Sequence, residues 1–536
     1  MMKKPFLLFS AAAVLCCCAT IHAASFAYVT PKATPLTVNV SPSGPNPPGP
    51  SVHTVINTND SGPGSLRQAI ASAAPGDTIS FALRFPAKIV VYSSLEISQD
   101  VTIAGPGPHE LTIMRSEATN TPSFRVFLIR SGVVTLSGLA IRNGSALAIV
   151  SGDDNLGGAI YSAGVLTVSN CVLAENVAPT EGTGNGFGGA IFSTQGMLTL
   201  LNSTIRDNSA SYAGGGVCLF AVSNFVAEGC TFNDNFAGLQ GGGINFQGQV
   251  GLIQNCTISG NKTPEGGTAS GLLNVAIAAQ PPTTLTVTAC TITRNTGNTN
   301  GAFVIAAVND NFGLTNILLS TIVARNDAPN FFLDHNPTFI DLGYNLDGDG
   351  SSGMTNGVNG DIVGSASAHI HAHLGRLLDN GGPTKTDALL PGSPALGAGS
   401  CNDASGAPLL VDQRGFPRDE TNGCDMGAFE NQPPTVVCPE PRTVEGDGHD
   451  GEEVHLNAVV SDPDGDALRV VWSVDGEKYF TENVDATHPP EATAVTLRVH
   501  LSKGTHTVSI SVSDGKAPPV ECSTTITVTE HEHHRR

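Results

Sequence analysis

The chain has little aromatic content and little charge for its length. Phe, Trp and Tyr make up 5% of 536 residues, one residue is Trp, and Asp, Glu, Lys and Arg together reach 14%. Basic residues are the scarcer charge, because 26 Lys and Arg stand against 47 Asp and Glu, for a formal net charge of −21. Nucleic acid and anionic lipid are bound mainly through Lys and Arg, so the composition argues against both partners.

The central region also lacks a helical period, and it lacks the regular leucine frame of leucine-rich repeats. Its apolar residues alternate with a period of 2, which indicates strands. The 61 Gly and 34 Pro residues suit many short strands and tight turns. A chain of this length is expected to form more than one domain.

A repeat occupies residues 133–327. Each copy is an apolar alternating run that leads to Cys or Ser and then to Asn. The clearest copies are VLTVSNCVLAEN (165–176), MLTLLNSTIRDN (197–208), FVAEGCTFNDN (225–235), GLIQNCTISGN (251–261) and LTVTACTITRN (285–295), with looser ones at 134–143 and 317–326, so the closing Asn residues fall at 143, 176, 208, 235, 261, 295 and 326. Glycine clusters recur between copies. This pattern predicts one coil of a right-handed parallel β-helix per copy.

Like residues of adjacent coils are expected to stack about 4.8 Å apart. We therefore predict an inward column of small side chains, and an asparagine ladder at a turn where Asn tolerates left-handed backbone and bonds to the next coil. The column consists of Cys171, Ser203, Cys230, Cys256, Cys290 and Ser320, and the ladder of Asn176, Asn208, Asn235 and Asn261. A metal site is the alternative for the cysteines, but free Cys is among the most buried residue types, which favours an apolar stack.

The first 23 residues predict a secretory signal peptide, with Lys3 and Lys4 before a short apolar stretch and Ala23 before the cleavage point. The apolar run is short for a membrane anchor, and lipoprotein processing at residues 16–18 would need a small residue that is missing before them. Residues 24–51 are predicted to be a Pro-rich linker. The mature chain has no second long apolar run, so we expect no transmembrane segment in it.

Residues 52–81 predict a strand, a short helix with Ser65 as its N-cap, and another strand. The end of a solenoid is an open sheet edge, so we expect this helix to cap it. The stretch NTNDSGPGSLRQAI (57–70) resembles the N-terminal cap of bacterial secreted right-handed parallel β-helix proteins. The stretches GYNLDGDGSSG (343–353), LGRLLDNGGPTKTDALLPGSPALGAG (374–399) and VDQRGFPRDETNGCDMGAFE (411–430) resemble the tail of choice-of-anchor Q proteins, which share the pectin-lyase-like fold. The resemblance covers residues 52–430, and it implies a β-helix with N- and C-terminal caps in an extracellular protein.

Several residues of this tail are candidates for specific roles. Asn345, Asp347 and Asp349 have the alternate spacing that opens a calcium loop, although Asn356 stands where a bidentate Glu would close it, so a tight turn is the alternative. We expect a disulfide between Cys401 and Cys424 in a secreted chain. We expect Asp412, Arg414 and Asp425 to form a structural network of hydrogen bonds. His369, His371 and His373 alternate along the chain, and they either bind a metal ion or are simply exposed to solvent.

After a linker at 431–434, residues 435–529 predict a small β-sandwich, and residues 530–536 a charged tail. The segment 461–466, the single Trp472 and the closing strand resemble PKD or other immunoglobulin-like bacterial surface modules. We expect Cys438 and Cys522 to form a disulfide that ties the first strand to the last. Three acidic residues of the first loop, Asp462, Asp464 and Asp466, are candidates for Ca²⁺ binding, with a plain turn as the alternative.

The residues before the ladder asparagines offer one catalytic hypothesis. Glu175, Asp207 and Asp234 would stack on successive coils, and a polysaccharide lyase or hydrolase needs such carboxylates. Arg206 can neutralise this row, however, and Lys262 is the one lysine between residues 130 and 330. Aromatic side chains for sugar stacking are also sparse.

We therefore favour a secreted or cell-surface structural or adhesive protein over an enzyme. It would be a stiff monomeric rod with the sandwich at one end, and it would bind glycans or surface proteins through its loops. The alternative is a pectate-lyase-like lyase or a hydrolase acting on acidic polysaccharide. Ca²⁺ is the one cofactor that these patterns suggest.

Overall fold

The computed structural model describes residues 49–530, apart from 147–154, 181–184, 277–281, 298–299, 308–312, 328, 336, 422 and 447–450. The predicted signal peptide, nearly all of the predicted Pro-rich linker and nearly all of the charged tail lie outside the described residues. One helix, Leu66–Ser72, stands near the N-terminus, and the Ser65 side chain caps it by accepting the N–H of Gln68. All other regular structure within these residues is β.

Three long parallel sheets form a right-handed β-helix, as predicted. The chain passes from sheet A to sheet B to sheet C and back to A in each coil. Sheet A contains Val52–Val55, Asp77–Phe81, Val101–Ala104, Val133–Ser137, Val165–Ser169, Met197–Leu201, Asn224–Glu228, Val250–Gln254, Thr283–Thr288, Leu314–Leu319 and Thr338–Asp341. Sheet B contains Ala87–Val91, Leu111–Arg115, Ala140–Arg142, Val172–Ala174, Thr204–Arg206, Thr231–Asn233, Thr257–Ser259, Thr291–Thr293, Ile322–Ala324, Leu346–Asp347 and Ile362–Val363. Sheet C contains Leu95–Ile97, Phe127–Ile129, Ile160–Ser162, Ile191–Thr194, Val217–Phe220, Ile244–Gln247, Leu272–Ala276, Phe303–Ala307 and Phe331–Asp334.

Shorter strands lie outside these sheets. Small parallel ladders between sheets B and C join Val177–Ala178, Ser209–Ala210 and Phe236–Ala237, and also Asn155–Leu156 with Gly186–Phe187. An antiparallel hairpin pairs Leu374–Leu378 with Thr386–Leu389. The C-terminal β-sandwich packs a sheet of Thr435–Val437, Glu452–Ser461 and Thr493–Leu501 against a sheet of Arg442–Gly446, Val520–Glu530, Gly504–Ser513, Leu468–Val474 and Glu477–Val484.

The period-2 pattern separates the core of the β-helix from its surface. In sheet B the middle residue of each three-residue strand points inward, so that Leu173, Ile205 and Phe232 are fully buried. Their neighbours on either side point outward, and Thr204 and Arg206 remain partly exposed. Because parallel strands stack in register, the inward apolar residues form one column per sheet through the interior.

The asparagine ladder lies inside the rod, where the coil leaves sheet B. Asn208 Nδ2 donates to Asn235 Oδ1 at 3.0 Å, and Asn235 Nδ2 donates to Asn261 Oδ1 at 2.9 Å. Each Oδ1 also accepts the backbone N–H of the Asn on the preceding coil, as from Asn208 at 3.1 Å. The ladder runs through Asn176, Asn208, Asn235, Asn261, Asn295 and Asn326.

One detail of the predicted ladder was wrong. The left-handed residue is the one before each Asn, with φ of 61° at Glu175 and 55° at Asp207, because the Asn itself turns inward to reach its neighbour. The ladder does not extend back to Asn143, since Arg142 pairs with Ala174 and Asn143 therefore aligns with Glu175. Gly144 takes the ladder position and donates its N–H to Asn176.

The column of small side chains lies at the corner between sheets A and B, and it is also a hydrogen-bonded ladder. The backbone N–H of Cys171 donates to Ser203 Oγ at 3.1 Å, and that of Cys230 donates to Cys256 Sγ at 3.4 Å. The thiol of Cys256 in turn donates to the carbonyl of Gln254. Burial raises the pKa of Cys256 well above its ordinary value, so this thiol stays protonated.

The last member of this column was misplaced by one residue. Cys290 donates its N–H to Thr321 Oγ1 at 3.3 Å, whereas Ser320 occupies the preceding left-handed position with φ of 51°. The column then continues beyond the repeat, because Thr321 N–H donates to Asn345 Oδ1 and Asn345 N–H donates to Asp361 Oδ1. Cys, Ser, Thr, Asn and Asp all occur in this column because each offers a short side-chain acceptor to the coil before it.

The repeated glycine pairs have a steric cause. The first glycine of each pair has left-handed backbone, with φ of 68° at Gly157 and 67° at Gly188. At the second, an added Cβ would meet the next coil, 2.1 Å from the carbonyl oxygen of Gly189 in the case of Gly158. Close stacking of turns between sheets B and C therefore requires glycine at both positions.

The later part of the C-terminal tail lies along the side of the β-helix. Gln413 Nε2 donates to Thr231 Oγ1 at 2.9 Å, and its Oε1 accepts from Thr257 Oγ1 at 2.6 Å, on two successive coils of sheet B. An apolar cluster formed by Ile322, Ala324, Leu346, Ala372, Leu374, Ala388, Leu389, Ala395, Met426 and Phe429 joins the tail to this face. Met354, from a loop after sheet B, packs against the main core near its last coils. The outward threonines of sheet B offer the later part of the tail a matching polar surface.

We predict that the two ladders differ in their tolerance of substitution. Asn235→Ala leaves the buried N–H of Asn208 without its acceptor and removes one of the two acceptors of Asn208 Nδ2, so it should lower the free energy of unfolding by about 2–4 kcal/mol. Cys256→Ser keeps the hydrogen-bonding pattern that Ser203 already shows, so it should change stability by less than about 1 kcal/mol. Urea denaturation followed by circular dichroism measures both.

The matched control is Asn224→Ala, on the outer face of sheet A, which should stay within about 0.5 kcal/mol of the parent. Equal losses for Asn235→Ala and Asn224→Ala would contradict an energetic role for the ladder.

Candidate functional site

The described surface has a cleft of about 680 Å³ on the outer face of sheet B. Its floor comes from successive coils, through Val172, Thr204, Arg206 and Asn233, and one wall is the loop that closes the tail hairpin. The remaining lining residues are Pro108, His109, Arg142, Asn170, Cys171, Asn202, Asp207, Asp234, Leu377, Asp379, Gly382, Pro383, Thr384 and Lys385. The cleft exists because the tail covers only the later coils and leaves the earlier ones open.

The three carboxylates of the catalytic hypothesis project beside this floor. Glu175, Asp207 and Asp234 occupy the left-handed column that precedes the asparagine ladder, with φ between 54° and 61°. Such a backbone directs their side chains outward while the next residue turns inward. Asp207 and Asp234 line the cleft, and Glu175 lies one coil earlier.

Each of these carboxylates already has a partner. Arg142 Nη1 lies 3.0 Å from Glu175 Oε1, and Arg206 forms an ion pair with Asp207. Asn233 Nδ2 donates to Asp234 Oδ2 at 3.0 Å. Two of the three carboxylates therefore pair with an arginine, and the third accepts a hydrogen bond from a neutral amide.

The candidate calcium loop at the C-terminal end of the rod is an internal hydrogen-bond network. Asn345 belongs to the small-residue ladder described above. Asp347 is fully buried and accepts from Asn330 Nδ2 at 2.9 Å and from the N–H of Ser352 at 2.8 Å. Asp349 accepts from the N–H of Ser351 at 3.0 Å. These oxygens already receive hydrogen bonds within the protein, so the residues present fit a turn and do not fit a cation site.

The three histidines line a second cleft, of about 1080 Å³, and all three are exposed. The rings of His371 and His373 meet edge to face with centroids 6.5 Å apart. Within the described residues, His369, His371 and His373 do not belong to any group of three ligand atoms close enough for one ion. This placement favours the solvent-exposed alternative.

Both predicted disulfides are present. Cys401 bonds to Cys424, and Cys438 bonds to Cys522 across 84 residues of the sandwich. The two bonds are compatible with an extracellular protein. Among the residues described, we find no helix with the length and apolarity needed to cross a membrane.

The predicted knot around Arg414 joins the tail to the sandwich. Its guanidinium donates to Asp412 Oδ2 at 2.8 Å and to Asp464 Oδ1 at 2.5 Å, and it lies 3.8 Å from the ring centroid of Phe429. Asp425, the third predicted member, instead accepts the N–H groups of Gly397 and Asn431. Gln413 binds the outer face of sheet B, and the next residue, Arg414, pairs with Asp464 of the sandwich. The sandwich therefore lies beside the rod, whereas the sequence led us to expect it at one end.

The three acidic residues of the sandwich loop have two different sets of contacts. Asp464 forms an ion pair with Arg414. Contrary to the prediction, it does not join Asp462 and Asp466 in a group of carboxylates. Asp462 and Asp466 instead converge with Asp514, and the three each offer a carboxylate oxygen within 4.8 Å of the others. Sequence spacing could not identify Asp514, because it lies in another loop of the sandwich.

Asp361 is a further residue that the sequence did not mark. It is 2% exposed, and burial, followed by a hydrogen bond with Asp341, raises its pKa to about 7. A carboxyl group with a raised pKa in the folded state binds its proton more tightly there than in the unfolded chain. The stability that this group contributes is therefore fully present below about pH 4 and is lost as the pH rises through about 7.

We predict that Asp361→Asn removes this loss of stability at high pH. The amide keeps an acceptor for Asn345 N–H and gives a donor to Asp341, so the variant should be more stable than the parent by more than about 1 kcal/mol at pH 8. At pH 4 the two proteins should be alike. Thermal unfolding at both pH values measures the difference, and an equal effect at the two would show that ionisation of Asp361 is not the cause.

Comparison with known proteins agrees with the architecture. The family model "Right handed beta helix region" matches residues 124–317. No curated protein matches the chain. A solved structure, "Structures of Clostridium thermocellum CbhA fibronectin(III)-like modules", is 28% identical over 19% of this chain, with a TM-score of 0.15, and the chain spans 53% of its length. An overlap this small supports no argument about function. Residues 124–317 form a right-handed parallel β-helix, and sheets A, B and C extend the same architecture to either side.

Proposed function

We propose that the protein is a secreted or cell-surface adhesive rod that binds polysaccharide in the cleft on sheet B. The observation that carries this proposal is the repetition of polar groups along the cleft floor. Arg206 and Asn233 occupy the same register position on two adjacent coils, about 4.8 Å apart, and Thr204 lies on the same strand as Arg206. A polymer with a repeating unit can contact both coils.

The cleft lining carries charges of both signs. Its basic residues are Arg142, Arg206 and Lys385, and its acidic residues are Asp207, Asp234 and Asp379. The two arginines are the groups through which the cleft would favour an acidic polysaccharide over a neutral one. Guanidinium groups bind carboxylates in a planar, two-bonded geometry. A uronic acid carboxylate could therefore replace the internal partners of the two arginines.

The alternative is a polysaccharide lyase or hydrolase that uses Asp207 and Asp234. It is the weaker proposal because both carboxylates already have partners. In addition, the described residues of the cleft include no group of three carboxylate, histidine or cysteine ligands close enough to hold one metal ion. Fold alone does not supply chemistry, since unrelated functions share one architecture.

We predict that Arg206→Ala weakens binding to polygalacturonate or alginate by at least about fivefold, because it removes the guanidinium at the centre of the floor. Affinity electrophoresis or calorimetry with soluble polymer measures this. The matched control is Arg130→Ala, which removes an exposed arginine that pairs with Glu96 on another sheet and should leave binding unchanged.

Activity assays separate the two proposals. Unsaturated products or reducing ends released from the same polymers with calcium, and lost in Asp207→Ala, would establish the enzyme and overturn the adhesive function. Binding without turnover supports the adhesive function, and neither binding nor turnover would overturn both.

A further inference from the structure

The three faces of the rod differ in how far the chain covers them. The tail binds the later coils of sheet B, as described above. The outward residues of sheet C are covered as well, since Phe192 and Cys218 pack against Phe187 and Tyr212 from the adjoining turns and are 3% and 2% exposed. Sheet A is the face on which most outward residues remain accessible to solvent.

The outer face of sheet A is long and nearly free of charge. Its eleven strands stack in register, so their outward residues form three columns. The middle column consists of Val52, Thr78, Thr102, Thr135, Thr167, Thr199, Val226, Leu252, Thr286, Ile317 and Ile340. Among the strands described for sheet A, Glu228 is the one charged residue that points outward. In a chain with a net charge of −21, a second acidic molecule can therefore approach this face with little charge repulsion.

Exposed apolar side chains line the first column of the sheet A face. On successive coils this column contains Val133, Val165, Met197, Asn224 and Val250. Val133, Met197 and Val250 are 53%, 36% and 52% exposed. Single exposed apolar residues are ordinary on a protein surface, but a contiguous group of them beside an uncharged column indicates an interaction surface.

We propose that two copies of this chain pair through the sheet A face. Eleven strands spaced by about 4.8 Å give the face a length of about 50 Å, and three outward columns about 6.6 Å apart give it a width of about 15 Å. The resulting area of about 700 Å² per copy is close to the area of about 800 Å² per partner that a specific complex buries. A two-fold axis brings the same surface of both copies together, so one uncharged face can supply both halves of the interface, with the two sheets packed face to face.

The composition of the face suits reversible pairing. Threonine methyl groups and the apolar side chains can pack across the interface, while the hydroxyl groups bond to one another or keep bridging water. The face narrows on the later coils, where Thr288 and Leu319 are already buried, so we expect a weaker dimer than its full length would allow. A dimer would replace the monomer that we expected from the sequence. The cleft on sheet B lies on another face, so each dimer would offer two clefts and, if the proposed function holds, could bind one polymer at two places.

Sedimentation velocity of the full chain tests this proposal. We expect twice the mass of one chain, with a dissociation constant in the micromolar range. Thr199→Glu places a carboxylate on the central strand of the face, where it meets the uncharged surface of the second copy, so it should weaken pairing by at least about tenfold. Its circular dichroism spectrum should match that of the parent, because Thr199 points outward and is partly exposed. The matched control is Thr525→Glu, the same change at an exposed strand position of the sandwich, which should pair like the parent.

The other outcomes are equally decisive. A parent chain that stays monomeric would overturn the proposal, and so would a dimer that is as stable in Thr199→Glu as in the parent. If Thr199→Glu does not fold, Thr167→Glu on the neighbouring strand of the same column carries the same expectation. A monomer that sediments with insoluble neutral polysaccharide, and loses this binding in Thr199→Glu, would assign the face to a glycan surface and overturn the dimer. Pairing is measured without polysaccharide, so its result is independent of the binding test with Arg206→Ala.

Discussion

Hydrogen bonds between side chains of successive coils hold the rod in register. Each ladder asparagine gives its amide to the next coil and accepts the backbone N–H of the coil before, so one side chain satisfies groups on two levels. The thiol and hydroxyl column at the other end of sheet B does the same with smaller side chains. A slip of one coil by one residue would leave all of these buried groups unpaired, which makes the register costly to change.

The outer face of the β-helix has the same regular spacing. Because the strands of sheet B stack in register, their outward side chains lie one above another at the spacing of the coils. On the later coils, Thr231, Thr257 and Thr291 form hydrogen bonds with Gln413 and Ala428 of the tail. On the earlier coils the same kind of surface is open and forms the cleft. Sheet B therefore serves as a docking surface along one half and as the candidate binding surface along the other.

The tail in turn positions the β-sandwich. Arg414 is fully buried between Phe416 and Phe429 and reaches Asp464 of the sandwich, so a single guanidinium connects both parts. A second buried pair, Arg418 with Glu430, secures the same turn of the tail. Breaking a buried pair by removal of one partner leaves an uncompensated charge, so this junction should be among the least tolerant parts of the chain.

The sequence by itself determined the β-helix, the cysteine and asparagine columns, the N-terminal helix and both disulfides. Local periodicity and repeated residues carry that information, because stacking in a solenoid is nearly one-dimensional. Only the tertiary structure decided that the columns continue to Thr321 and Asp361, that Asp464 pairs with Arg414 while Asp514 joins Asp462, and that the tail covers the flank. Those contacts join segments far apart in the chain, and no repeat or spacing encodes which outward surface a distant segment will meet.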